Sequence, residues 1–296
     1  MLHILDPDEY DIAAIQEPYL DHTHNSQASP NWYSLYPKEH YTKPEDTRSL
    51  LLINRRIQTN NWTQIDFASS DVTTVQMQTP SGQILLINMY NDGKNHEGAH
   101  KVTQYMRKMA QAHNPSHPPH IVWLGDFNSH HPMWDEERNS HLFTRANLDK
   151  VQLIIDMMAN HDLQMLLPKN IPTLCAMTTQ NFTHLDNVLT SSSLQEHILE
   201  CKTSPETCPP RTDHIPIITT LDMNPGRQEE TCKPNFKSAD WTKLRKVLTE
   251  KLANLNSQHK IQNKSEFYRR LNALTLAITD MIESAVPKLR PSPYTK

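Results

Sequence analysis

The run Ile121-Val122-Trp123-Leu124 is apolar at four successive positions and passes directly into Gly125-Asp126-Phe127-Asn128. A strand with one wet face alternates, so a continuous apolar run is expected of a strand covered on both faces. Further short apolar runs rich in β-branched residues predict strands at 12–15, 50–54, 62–67, 163–167, 184–189 and 215–221. Residues 72–78 and 84–90 flank Thr79-Pro80-Ser81-Gly82, which reads as a hairpin turn. Helices fit between these strands. One spans 97–112, with Val102, Met106 and Met109 on one side; another carries Leu148, Val151, Ile154, Ile155 and Met158 at helical spacing. The pattern predicts a layered α/β (α+β) domain, sheet on sheet with helices outside, over residues 1–222.

Beyond that point the composition changes. Residues 223–237, including Asn224-Pro225-Gly226-Arg227, read as a polar linker, and 238–296 as a helical extension. Its first helix takes Ser238 as N-cap and has Trp241, Leu244, Val247, Leu248, Leu252 and Leu255 on one stripe. The second carries Phe267, Leu271, Leu274, Ile278, Met281 and Ile282 and is stopped by Pro287. From Lys237 onward 12 Lys+Arg stand against 5 Asp+Glu, a balance of +7 that leaves −11 for the rest of a chain of net charge −4. A basic tail on an acidic body fits a solvated helix surface and a nucleic-acid contact equally well.

With 36% apolar and 21% charged residues, 296 residues suffice for a packed core. No apolar run reaches the ~18 residues of a membrane span. Asp6, Asp8 and Glu9 stand where a secretory signal needs basic and apolar residues. Four irregularly spaced cysteines, Cys175, Cys201, Cys208 and Cys232, form neither a disulfide framework nor a CxxC zinc pair. An intracellular protein, nuclear or cytoplasmic and not secreted, is expected, without a membrane partner.

Polar side chains cluster at the ends of the apolar runs. In an extended chain residues i and i+2 share a face, so Asp126 and Asn128 can enter one cleft, although both residue types also favour turns. Gln16-Glu17 puts a carboxylate directly after a strand. Asp186 interrupts an apolar run, where an unpaired carboxylate would be costly to bury. Thr212-Asp213-His214 gives an Asp-His step before the last strand. His130-His131 and the trio His113, His117 and His120, among 17 histidines, lack carboxylates or cysteines at ligand spacing and read as surface.

In this order, Gln16-Glu17, Asn88-x-Tyr90, Gly125-Asp126-Phe127-Asn128, Leu185-Asp186 and Thr212-Asp213-His214 resemble the endonuclease/exonuclease/phosphatase superfamily. Within it, Asp126-Phe127-Asn128-Ser129-His130-His131-Pro132-Met133-Trp134 is most similar to the endonuclease of LINE-type, non-LTR retrotransposons, especially fungal ones. Asn235-Phe236-Lys237-Ser238-Ala239-Asp240-Trp241 resembles the segment that follows the nuclease there, ahead of a reverse transcriptase. The resemblance implies a four-layer α/β-sandwich, two packed mixed sheets flanked by helices, that hydrolyses phosphodiesters with Mg²⁺ or Mn²⁺. It implies DNA as partner through its phosphate backbone, and a reverse-transcriptase module in a full-length element.

The resemblance also assigns roles. Glu17 and Asp213 hold the metal or its waters, and Asp126 is the general base. Asn128 positions water or phosphate, and His214 acts on the non-bridging phosphate oxygen. Asp186 orients the His214 ring, Tyr90 hydrogen-bonds phosphate, and Asn88 and Asn91 contact substrate in the same cleft. The family's opening strand, with a metal-holding Asn about two dozen residues before the Glu, has no counterpart in the 16 residues before Glu17. Residues 1–6 look instead like the end of the following helix. A truncated or decayed copy, or an incomplete gene model, is the expectation. An abasic-site endonuclease, an inositol or lipid phosphatase, and an inactive remnant that only binds nucleic acid or protein share these motifs.

Overall fold

The computed structural model describes residues 5–27, 29–93, 96–112, 119–210, 212–223, 234–253, 261 and 263–288. Contacts divide the chain into two compact units, Met1–Gly226 and Arg227–Lys296. In the first, strands β1 (Ile12–Gln16), β2 (Trp32–Leu35), β3 (Ser49–Asn54), β4 (Trp62–Ile65), β5 (Val72–Thr79) and β6 (Gly82–Tyr90) precede helix α1 (Glu97–Ala112). Strand β7 (His120–Asp126), helix α2 (Arg145–Asn160) and strands β8 (Leu163–Met165), β9 (Leu174–Cys175), β10 (Phe182–Thr183), β11 (Asp186–Ser191), β12 (Ile198–Thr203) and β13 (Ile217–Leu221) follow.

A six-stranded mixed sheet, ordered β4-β5-β6-β7-β11-β8, forms the centre, and β6 and β7 are its parallel pair. Alternation sorts its side chains. Leu85, Ile87, Met89, Ile121 and Trp123 point to one face, where Val102 and Met106 of α1 and Val151, Ile154 and Met157 of α2 cover them. Ile84, Leu86, Val122 and Val188 point to the other, against Leu51 and Ile53 of β3 and the half-buried Ile12, Ile217 and Leu221. That second layer comprises two antiparallel sheets, β1-β3-β2 and β12-β13. Among the described residues β1 pairs only with β3 and β13 only with β12. On the outer face of β1-β3-β2, Ile15, Trp32, Leu50 and Leu52 meet Leu5, Tyr10 and Leu20 from coil segments.

The continuous run of β7 is therefore buried on both faces, as its composition requires. The 79–82 turn joins β5 to β6 over the full hairpin register. β11 begins at Asp186 rather than at 184, because the Leu185 and Asp186 amides both donate to Thr173 Oγ1 (2.9 Å each). Of the N-terminal segment read as a helix end, residues 1–4 lie outside the described residues, and Leu5 and Asp6 are not helical. Among the described residues no helix is long and apolar enough to cross a membrane.

In the second unit α3 (Trp241–Ala253) and α4 (Lys264–Ala285) pack Leu244, Val247 and Leu248 against Met281, Ile282 and Ala285. Ser238 is not the N-cap of α3. It ends a 3₁₀ turn, and the Asp240 carboxylate instead accepts from the Thr242 and Lys243 amides (3.0 and 3.1 Å), the usual geometry of an aspartate cap. Leu255 lies outside the described residues. Phe267, Leu271, Leu274 and Ile278 of the expected stripe are exposed.

Gly125, inside β7, has φ +137°, and a Cβ built there would lie 1.9 Å from the Met89 carbonyl oxygen of β6. Neither the dihedral nor the distance tolerates a side chain. Gly125→Ala should lower stability by about 3 kcal/mol or more, read as a loss in urea midpoint. A midpoint within experimental error of wild type would disprove this packing.

Candidate active site

Ladder register builds the site. Tyr90 of β6 lies opposite Asp126 of β7, and Asp126 lies opposite Asp186 of β11. Three polar side chains thus form one row across three adjacent strands, spaced by the ~4.8 Å strand separation. Their parity aims them toward the second layer, where β1 and the segment before β13 bring up Gln16, Glu17 and His214. These six residues enclose a cleft of about 60 Å³. A larger depression of about 480 Å³, around Trp32, Tyr36, Arg55 and Trp62, has no carboxylate or histidine in its lining and offers no comparable chemistry.

The strand ends carry local strain. Glu17 and Asn128 both adopt φ +46°. Asparagine tolerates that region, whereas for glutamate it costs roughly 1–2 kcal/mol. The turn keeps the exposed Glu17 carboxylate beside Tyr90 in the cleft, where its charge acts on the phenol. At Asn128 the left-handed turn lets its own amide donate to Asp126 Oδ1 (2.7 Å).

The electrostatics follow from crowding. Burial, reinforced by the charge of Asp186, pushes the Asp126 carboxyl up to about 7. For His214, burial favours the neutral ring, but hydrogen bonds from Nδ1 to both Asp186 oxygens (3.1 and 2.9 Å) and the charges of Asp186 and Asp126 prevail and raise it to about 9. At neutral pH the imidazole is therefore a cation with Nδ1 committed to Asp186. Burial and the Glu17 carboxylate push the Tyr90 phenol up to about 12, so it stays a proton donor. Asp126, Asp186 and His214 offer ligand atoms all within 4.8 Å of one another. Because His214 Nδ1 donates to Asp186, the donors left for a cation are carboxylate oxygens, of Asp126 and Asp186 in this group and of Glu17 across the cleft. Such oxygens suit a hard ion such as Mg²⁺ or Mn²⁺, and a cation would relieve the repulsion that protonates Asp126.

Five of the sequence-derived residues meet at the cleft: Glu17, Tyr90, Asp126, Asp186 and His214. Asp213 stands beside them, close enough for its charge to act on His214. Asn128 lies outside the lining, half-buried against Gly93. Asn88 and Asn91 do not reach it. Asn88 is fully buried between the layers, its amide donating to the Ile15 and Leu50 carbonyls and accepting from Gln16. Asn91 is equally buried, and its Nδ2 bonds the Phe127 carbonyl (2.8 Å) and His96 Nδ1 (2.8 Å). Both hold the scaffold, so the substrate contacts expected of them are corrected. Sequence reasoning passed over Gln16 as a lining residue and Thr173, which fixes the start of β11.

A carboxyl whose folded value is raised destabilises the fold as pH rises. Below pH 3.8 both states hold the proton; between 3.8 and about 7 only the folded state does; above about 7 the full penalty stands. Asp126→Asn removes it. In EDTA the variant should be more stable than wild type by on the order of 1–3 kcal/mol at pH 8, with the advantage growing from pH 4 to 7 and vanishing below. An advantage that does not change with pH would show that Asp126 is not a strained carboxyl.

Residues 84–218 match the family described as endonuclease–reverse transcriptase, a stretch that includes Tyr90, Asp126, Asp186 and His214. No curated protein matches the chain significantly. Among solved structures it resembles the endonuclease domain of TRAS1, a telomere-specific non-LTR retrotransposon (TM-score 0.52, 14% identity, covering 73% of this chain and 88% of that one). It also resembles the AP endonuclease LMAP from Leishmania major (0.57, 12%, covering 72% and 79%). A third is the 3′ phosphatase NExo from Neisseria, bound to a product DNA hairpin (0.50, 14%, covering 72% and 89%). The body of this chain has the endonuclease/exonuclease/phosphatase fold, with a match to the endonuclease–reverse transcriptase family over its central strands.

Proposed function

We propose that the chain is a divalent-metal-dependent phosphodiester hydrolase, a DNA-nicking endonuclease of retrotransposon origin. The observation that carries this reading is the meeting of Asp126, Asp186 and a charged His214 with Glu17 and Tyr90 around one small cleft. Hydrolysis of a phosphodiester needs a base for water, positive charge on the phosphate oxygens and donors that bind them. Asp126, in its ionised form, takes the proton from the attacking water, and a carboxyl titrating near neutrality is suited to that task. His214 presents Nε2–H to a non-bridging phosphate oxygen, and Asp186 keeps the ring charged and oriented. Tyr90 donates its phenolic proton to phosphate. Glu17, assisted by Asp213, holds the cation, which when bound supplies charge neutralisation on the phosphate. Asn128 holds the backbone turn that fixes the Asp126 carboxylate. DNA is the partner through its phosphate backbone, and a reverse-transcriptase module accompanies the nuclease in a full-length element.

Supercoiled plasmid incubated with Mg²⁺ should be nicked, and EDTA should abolish the reaction. Asp126→Ala and His214→Ala should each slow nicking by roughly 10²–10⁴-fold while circular dichroism stays native. Full activity in folded His214→Ala would rule out these roles, and phosphate release from inositol phosphates without nicks would move the substrate to phosphomonoesters.

A further inference from the structure

A second cation stands at the rim of the cleft. Arg48 precedes β3, its carbonyl accepting from the Glu17 amide (2.9 Å) and its own amide donating to the Ser70 carbonyl (3.0 Å). Its guanidinium donates through Nε and Nη2 to the two oxygens of Asp71 (2.8 and 3.1 Å) and lies 4.9 Å from the centre of the Tyr90 ring. Nη1 takes no part in either bond. The Arg48 side chain is 37% exposed, whereas that of Asp71 is 10% exposed. A buried carboxylate thus clamps one edge of a planar fork, an aromatic ring supports its face, and the side chain keeps more than a third of its surface exposed. Arginine held this way loses little freedom on meeting a phosphate, whose oxygens its donors match. The cleft needs such a group. Glu17, Asp126, Asp186 and Asp213 crowd it with negative charge, and His214, with Nδ1 on Asp186, has only Nε2–H to offer the phosphate being cut.

We infer that Arg48 binds a backbone phosphate of the DNA strand next to the one being cut, an assignment that rests on the nuclease reading. Asp71 and Tyr90 are then positioning residues for this contact. The competing role is a purely structural one, in which Arg48 only neutralises Asp71 and braces Tyr90.

Salt dependence separates the two, because each phosphate contact releases counterion and adds about 0.9 to the slope of log K against log salt on duplex DNA. Binding of a short duplex, followed by fluorescence anisotropy in EDTA from about 50 to 200 mM salt, should show a smaller slope for Arg48→Gln, by about one. Arg48→Lys should keep the wild-type slope. Arg55→Gln serves as control. It removes the same charge at the far end of β3, about 20 Å away by strand rise, and should leave the slope unchanged. Arg48→Gln leaves Asp71 buried alone, so the double variant Arg48→Gln with Asp71→Asn is measured as well; its slope should also fall by about one. A wild-type slope in both Gln variants, alongside normal nicking by the wild type, would overturn the assignment and leave the nuclease reading standing. If the wild-type protein neither binds nor nicks DNA, both fall together.

Discussion

At Gly125 the backbone of β7 comes so close to Met89 of β6 that a methyl group would overlap the carbonyl oxygen, and the cleft is built outward from this contact. β6 and β7 are the parallel pair of the central sheet, and β11 closes on β7 from the other side. Because side chains alternate, a slip of one residue in either ladder would turn Tyr90, Asp126 or Asp186 to the helix-covered face. The register therefore does for these three side chains what a disulfide or metal does elsewhere: it leaves one arrangement available.

That arrangement is costly in itself. Asp126 and Asp186 face each other in a confined space, and His214 offsets only part of the repulsion. Two titrating groups are driven apart, the carboxyl upward toward neutrality and the imidazole well above it, which separates a proton acceptor from a donor at one pH. Arg48 and Asp71 repeat the logic at the rim with opposite emphasis. There the buried carboxylate is fully paired, and it is the partner's outer edge that remains available.

Much of this was legible in the chain. The unbroken apolar run announced β7, and period-two reasoning put Asp126 in a cleft but also Asn128, which the left-handed turn leaves outside the lining. The resemblance, which put Asn88 in the cleft with Tyr90, did not reach its burial. This asparagine shares its face with Tyr90, two residues on, but alternation encodes direction and not depth, and Asn88 sits one pleat further into the layer contact. Arg48 and Asp71, separated by 22 intervening residues, gave no local pattern, since only the fold brings the segments that lead into β3 and β5 together. Strand β12 was missed because Glu200 and Lys202 interrupt it, and β2 because four residues are too few to show a period.

The two walls of the cleft are fastened very differently. Asp126 and Asp186 belong to strands hydrogen-bonded on both sides and pressed beneath two helices. Glu17 follows a five-residue strand that has a single neighbour among the described residues, and the outer face of that pair is covered by coil. Local opening free energies follow such differences. Amides of β6, β7 and β11 should therefore exchange more slowly than those of β1, whose opening breaks fewer strand contacts. Opening of β1 would take Gln16 and Glu17 from the cleft and leave the row of Tyr90, Asp126 and Asp186 standing.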